Sequence, residues 1–379
     1  MRILHTSDWH IGRQFYNVSL LEDQRHVLNQ IVEAAKAEAV DVVVVAGDVY
    51  DRAIPPADAV SLVDEVFNRL LNEVGIPVIV IAGNHDGPER LGFASRQLAK
   101  AQLYIAGPLT VAVQPVVLED QYGEVVFYPI PYADPATVRD VFSDDTIRTH
   151  NQAMECITNA LPDHKRQRSV AIGHCFLSGG TDCDSERPLS VGGADQVSRQ
   201  NFNDFNYVAM GHLHRQQHQG TEVIRYSGSP MKYSFSEEKH KKSITIVDLD
   251  GEGECKIEHI PLVALRDMRS ITGSFDDIIL EAKNDTNASD YLLINLTDTH
   301  AILDPMGKLR AVYPNVLHLE RPGLMSPKPQ RLVHRDLMKK GELAMFKDFY
   351  QQTINEEISA EQAIILSDLL TEIHAEREA

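Results

Sequence analysis

Carboxylate, amide and imidazole side chains recur in five short motifs along this 379-residue chain. They are Asp8-Trp9-His10, Gly47-Asp48-Val49-Tyr50-Asp51, Gly83-Asn84-His85-Asp86, Gly173-His174 and Gly211-His212-Leu213-His214. Their donors are oxygen and nitrogen with no thiolate, a set that suits Mn2+, Fe2+ or Zn2+ better than soft ions. Residues two apart on a strand face the same side. Asp8 with His10, and His212 with His214, are therefore expected to grip ions as pairs. The Asp48 carboxylate has two oxygens and can bridge two cations. Two divalent ions outweigh the charges of Asp8 and Asp48, so such a pocket attracts phosphate even in an acidic protein. Two ions about 3.5–4 Å apart clamp both ends of an in-line displacement at phosphorus. Each motif alone also fits a satisfied structural histidine or a helix-capping Asp; the conjunction points to phosphoester chemistry.

Such motifs need strands behind them. The runs Ile3–Thr6, Val42–Ala46, Val78–Ala82, Ser169–Gly173 and Tyr207–Gly211 are short and mostly apolar, and read as buried strands. Each leads into a polar motif, and α/β sheets place their sites at carboxyl strand ends. Helical patterns fall at 22–38, 56–74 and 88–101. Further on, Ile224–Ser227, Ser243–Leu249 and Lys256–Ile260 read as strands. The fold class is α/β, a two-sheet sandwich flanked by helices over residues 1–262. A small α/β capping domain follows at 265–322, with strands at Ser270–Gly273, Tyr291–Leu296 and Val316–Leu319 and helices near 276–284 and 303–312. Residues 323–340 read as a basic, Pro-containing linker and 341–379 as a helix–loop–helix. In that tail Leu343, Phe346, Phe349, Ile354, Leu366, Leu370 and Ile373 repeat at helical spacing, and Ser359 offers a cap with Gln362 three residues on.

The net charge of −19 argues at first sight against a polyanionic partner. It hides a gradient. Residues 308–340 carry a local charge of +6 (Lys308, Arg310, Arg321, Lys328, Arg331, Arg335, Lys339 and Lys340 against Glu320 and Asp336), and residues 341–379 carry −7. The four cysteines, Cys156, Cys175, Cys183 and Cys255, have no paired spacing and suit a reducing cytoplasm. No apolar leader precedes Asp8, and no run is long enough to span a membrane. A cytoplasmic location without a membrane partner is expected.

The five motifs, in this order, resemble the calcineurin-like metallophosphoesterase superfamily. Within it the chain is similar to the bacterial SbcD-type nuclease subunits, through Thr6–Gly12, Val45–Asp48, Ala82–Asp86, Met210–Arg215 and Tyr226–Pro230. The resemblance implies that Asp8, His10, Asp48 and His214 hold one ion, and that Asp48, Asn84, His174 and His212 hold the other, both Mn2+. It implies that His85 contacts substrate and protonates the leaving oxygen, a task that suits imidazole near neutral pH. Asp86 and Asp51 would support the site, with Asp86 the better candidate to orient His85 and Asp51 equally readable as a loop hydrogen-bonding residue. The resemblance further implies single-strand endonuclease activity, ATP-dependent 3′→5′ exonuclease activity on duplex DNA with an SbcC-type ATPase gripped by the C-terminal helices, a role in DNA repair, and a homodimer built from helices after the second and third motifs.

Val60, Val63, Phe67, Leu70 and Val74 form a stripe that suits a dimer seam or the chain's own sheet. Trp9 would either stack on a base or pack beneath the site. The loop Gly179–Ser185 matches no motif. Two alternatives stay open: a phosphatase or nucleotide phosphodiesterase on the same core, and a non-cutting scaffold for DNA ends. A scaffold has no need of a leaving-group acid such as His85.

Overall fold

The computed structural model describes residues 1–162, 167–186, 189 and 195–322, together with 350, 358, 359, 362, 363, 365, 366 and 369. In chain order the principal strands begin with β1 (Arg2–Thr6), β2 (Val42–Val45), β3 (Val78–Ile81), β4 (Leu103–Ala106), β5 (Val116–Asp120) and β6 (Gly123–Pro129). They continue with β7 (Arg168–His174), β8 (Tyr207–Gly211), β9 (Gln217–Gln219), β10 (Thr221–Tyr226), β11 (Ser243–Leu249) and β12 (Cys255–Pro261). They make two six-stranded sheets, ordered β12-β11-β1-β2-β3-β4 and β9-β10-β8-β7-β6-β5. The central strands β1–β4 run parallel, as do β6, β7, β8 and β10.

Alternation along each strand divides its side chains between two cores. Ile3, Val42, Val44, Ile79 and Ile81 from the first sheet meet Val125, Phe127, Val170, Ile172, Tyr207 and Ala209 from the second. Leu4, Val43, Val45, Val78 and Val80 face the other way, against helices α1 (Leu21–Ala37) and α2 (Ala57–Asn68). On the far side, Val126, Tyr128, Ala171, Val208 and Met210 pack on α3 (Pro135–Phe142) and α4 (His150–Asn159). This is the expected helix-flanked sandwich. It explains why the valines at 42–45 form an unbroken apolar run: both faces of β2 are covered.

Local departures have local causes. The expected helix at 56–74 is α-helical to Asn68, then widens to a π-helical stretch at Arg69–Val74 and stops at Gly75, φ 81°. The pattern at 88–101 breaks into short turns, Pro88–Leu91, Ser95–Leu98 and Ala99–Ala101, because Ala94 adopts a left-handed φ of 59°. Residues 103–160 hold β4–β6, α3 and α4, none of which the apolar runs announced. Helix α4 opens on a capping box between Thr149 and Gln152 that the sequence does carry.

The apolar stripe on α2 is mostly spoken for. Val63, Phe67 and Leu70 are buried in the chain's own core, and Val74 packs against it. Only Val60, 44% exposed, stays outward. The stripe is therefore not a free dimer seam; its apolar residues are used to bind α2 to the first sheet.

Residues 268–320 form a three-stranded parallel sheet of β13 (Met268–Gly273), β14 (Tyr291–Leu296) and β15 (Val316–Glu320), with α5 (Phe275–Glu281) and α6 (Pro305–Arg310). Ile278, Leu292, Ile294, Leu309 and Tyr313 fill its core. Apart from residues 298–301, this piece belongs to the same compact unit as the sandwich. Met268, Tyr291 and Leu317 cluster with Leu20, Val27 and Tyr233, and the Tyr291 hydroxyl donates to Asp23 at 2.8 Å. Two of its basic residues serve the piece itself: Lys308 lies over the Phe275 ring, and Arg310 donates to the Val316 carbonyl.

A second unit holds residues 298–301 and 321–379. Ser359 and Gln362 make the expected reciprocal cap, at 2.9 and 3.2 Å. Leu343, Phe346, Phe349, Ile354, Leu370 and Ile373 lie outside the described residues, as do Lys328, Arg331, Arg335, Lys339 and Lys340; of the expected partner-binding side chains only Leu366 lies within them.

Candidate metal centre

The motifs converge because β1, β2 and β3 of one sheet and β7 and β8 of the other all end at the same edge. Asp8 and His10 follow β1, Asp48 follows β2, Asn84 and His85 follow β3, His174 closes β7, and His212 and His214 follow β8. Strand alternation is not what aligns the pairs. Asp8 (φ 55°), His10 (φ 46°), Asp48 (φ 52°) and His212 (φ 104°) lie beyond the strands with left-handed backbone, so tight turns aim them. The sheets touch closely here. His212 N–H donates to Asp8 Oδ1 at 2.9 Å, and His174 Nδ1 lies 2.9 Å from the Ala46 carbonyl. Glycines permit this approach: a Cβ on Gly211 would stand 1.9 Å from the Ala46 oxygen, and one on Gly83 would stand 2.2 Å from Asp48 Oδ1.

Two ligand groups share one oxygen. On one side, His10 Nε2 lies 3.0 Å from His214 Nε2 and 3.6 Å from Asp48 Oδ2. On the other, His174 Nε2 lies 3.4 Å from the same Asp48 Oδ2 and 2.9 Å from Asn84 Oδ1, which is 3.2 Å from His212 Nδ1. Ligand atoms of Asp8, His10 and His214, and separately of Asp8, Asp48 and His174, lie within 4.8 Å of one another. Two imidazole nitrogens facing each other at 3.0 Å cannot both carry a proton between them, so at least one offers a lone pair. That donor set fits divalent cations.

The first 216 residues match the family described as calcineurin-like phosphoesterase. Residues 264–353 match one described as type 5 capsule protein repressor C-terminal domain. Over 375 residues the chain is 34% identical to the SbcD component of the SbcCD nuclease from Staphylococcus epidermidis, covering 98% of each chain. The chain belongs to the SbcD-type branch of the calcineurin-like phosphoesterases. Among solved structures it is similar to a dimetal phosphatase from Danio rerio, at 12% identity and TM-score 0.42, covering 70% of this chain and 97% of that one. A protein from Thermus thermophilus matches at 14% identity and TM-score 0.39, covering 68% and 98%.

Calcineurin-like phosphoesterases hydrolyse phosphoesters with divalent metal ions, and this SbcD-type chain is a nuclease subunit with two sets of residues suited to hold such ions. Burial lowers His10 and His214, and lowers His212 to about 3, which keeps these imidazoles neutral as metal ligation requires. Burial opposes the charge on Asp48, yet His174 beside it holds that carboxyl well below the usual range. Burial likewise opposes a proton on His174, but Asp48 prevails and raises it to about 9. Burial, with Asp48 adding to it, pushes the Asp8 carboxyl up to about 7.

His85 and Asn84 are half-buried where the other members of the cluster are buried, so the centre opens on their side. His85 N–H donates to Asp48 Oδ1 at 2.8 Å. Its ring is oriented by the Asp51 main chain rather than by Asp86. His85 Nδ1 lies 2.9 Å from the Asp51 carbonyl oxygen, which can only accept; Nδ1 thus carries a proton and Nε2 is left free. Asp86 instead clamps two loops, accepting from Val49 N at 3.1 Å, Tyr50 N at 2.9 Å and Gly83 N at 2.9 Å. The Asp51 carboxylate lies 3.3 Å from Arg13 and 3.8 Å from His10 Nδ1, between the loop and a motif histidine, a place that serves both of its readings. Trp9 is fully buried, donates to Thr6 Oγ1 at 3.0 Å and packs near Phe67; it lies beneath the site and offers no face to a base.

Sequence reading missed Ser185, Glu186 and Glu237. Ser185 Oγ lies 2.7 Å from His214 Nδ1 and 2.6 Å from Glu237 Oε1, and Glu186 accepts from the His214 amide. No motif marks them; Ser-Glu at the end of an unassigned loop was the only hint.

Proposed function

We propose that this chain is the nuclease subunit of an SbcCD-type complex, cutting DNA phosphodiesters at a two-metal centre. The observation that carries the reading is the shared Asp48 Oδ2, 3.6 Å from His10 and 3.4 Å from His174. Asp8, His10, Asp48 and His214 hold one ion, and Asp48, Asn84, His174 and His212 the other, with Mn2+ as the working metal. Bound ions supply Lewis acidity toward the phosphoryl oxygens and a nucleophile at neutral pH. The chain's own contribution to bond breaking is His85. With Nδ1 held by the Asp51 carbonyl, Nε2 is the ring atom that delivers the proton to the leaving alkoxide. Asp86 keeps the Asp48 and His85 loops in register for that transfer.

The domains are read as nuclease 1–262, cap 265–322, basic linker 323–340 and partner-binding helices 341–379. The name of the 34%-identical relative, a subunit of the SbcCD nuclease, supports a complex with an SbcC-type ATPase and a DNA substrate; the location we propose is the cytoplasm. A homodimer contact is best sought at Ile54, Val60 and Phe93, which follow the second and third motifs and are 68%, 44% and 80% exposed. The test is to assay the purified chain with Mn2+ on circular single-stranded DNA and on p-nitrophenyl phosphate, alongside a metal count. Two equivalents and nicking support the reading. Hydrolysis of the small ester alone would favour a phosphatase, and DNA binding without cleavage would favour a scaffold.

A further inference from the structure

The loop that matched no motif ends against the metal centre, and its last residues build a hydrogen-bond chain with a defined direction. Glu237 is fully buried. Its Oε1 accepts the Ser185 hydroxyl at 2.6 Å and the Tyr233 amide at 3.0 Å, and its Oε2 pairs with Lys242. With the Ser234 hydroxyl at 3.5 Å the carboxylate faces four donors and only accepts, so the single hydroxyl proton of Ser185 is committed to Glu237. The contact between Ser185 Oγ and His214 Nδ1, 2.7 Å, then has one possible sense: Nδ1–H donates to Oγ. The proton is thereby fixed on Nδ1, and the His214 Nε2 that faces His10 is left with its lone pair outward. The backbone of His214 is held as firmly, its amide donating to Glu186 and its carbonyl accepting from Lys242 Nζ at 2.9 Å.

We infer that Ser185 and Glu237 are positioning residues that set the metal affinity of the His10–His214 side of the centre, through a carboxylate–hydroxyl–imidazole chain. The design differs from a carboxylate bonded directly to a ligating histidine by one interposed hydroxyl. It assigns a task to the Cys183–Glu186 segment, in the loop that follows His174, which itself carries none of the assigned ligands. The inference rests on His214 being a metal ligand, and the test keeps the two ideas apart.

Mn2+ binding would be titrated on the full chain by the loss of the free-ion paramagnetic resonance signal, for wild type, Ser185→Ala, Ser185→Thr and His214→Ala. Ser185→Ala is expected to weaken one of two ions by about 10–100-fold and leave the other within roughly 3-fold. Nuclease activity against Mn2+ concentration should shift by the same factor and reach the wild-type plateau. Ser185→Thr, which keeps the hydroxyl, should restore the tighter binding. Wild-type binding of both ions by Ser185→Ala would overturn the inference, and so would a lowered plateau with no shift, which marks a merely structural role. Retention of both ions by His214→Ala would instead overturn the ligand assignment on which it stands.

Discussion

Asp86→Asn separates two roles that a carboxylate beside His85 can play. In the structure Asp86 Oδ2 accepts from Val49 N and Gly83 N, and Oδ1 accepts from Tyr50 N. An asparagine can place its one carbonyl oxygen where Oδ2 is and keep two of these bonds. Its NH2 group then faces the Tyr50 N–H, and that buried donor loses its partner. Leaving such a group unsatisfied costs about 1–3 kcal/mol. For a domain of this size that lowers the melting temperature by about 2–12 °C. The loops being clamped carry Asp48 and His85, so metal affinity should fall with stability, and saturating Mn2+ should recover most of the cleavage rate. Differential scanning fluorimetry with chelator and with Mn2+, beside a single-turnover nicking assay, measures both. A variant that melts like wild type and holds its metals but cuts hundreds of times more slowly would refute the reasoning. It would return Asp86 to the role of orienting His85.

Asp48→Asn should lose both ions together, since the same oxygen serves both groups; metal analysis showing two equivalents would end the bridging role. His85→Asn should keep both ions and the fold while losing about 10²–10⁴ in rate if its proposed role is that of the proton donor alone; single-turnover cleavage beside a metal count decides it. Metal affinity should rise with pH. The metal-free Asp8 carboxyl is raised to about 7 and His174 to about 9, so both hold protons at low pH that the ions must displace. The expected gain is up to about two log units per pH unit below the lower value, about one between the two, and none above; titration calorimetry over that range finding a flat profile would refute it. Truncation after Gly341 should leave Mn2+-dependent nicking intact and abolish co-elution with an SbcC-type ATPase; normal complex formation would remove the tail from that role.

The convergence of the five motifs was legible because each closes an apolar strand, and strand ends are where such folds gather chemistry. What brings the pairs together was not legible. Left-handed turns at Asp8, His10, Asp48 and His212 do the aiming, and no periodicity encodes them. The orienting partner of His85 was misassigned for a plain reason: it is the main-chain carbonyl of Asp51, which no side-chain pattern reveals. Ser185 and Glu237 are 52 residues apart and meet only in the fold. The α2 stripe shows the limit of amphipathic reasoning, since an apolar face does not say which surface covers it. The Ser359–Gln362 box was read correctly because capping is local chemistry.

The centre draws Asp8, His10, Asp48 and Asn84 from one sheet and His174, His212 and His214 from the other. Bound ions would therefore act as rivets across a seam, and the seam is the inter-sheet core that runs beneath them from Ile3 and Val44 to Ile172 and Tyr207. Linkage makes this reciprocal: whatever loosens the sheets against each other weakens the ions, and whatever loads the ions tightens the sheets. A methyl group removed from Val44 or Ile172 is, in that sense, a change to the metal site made from inside the protein. The reach of the active centre extends as far down the sandwich as the two sheets move as one.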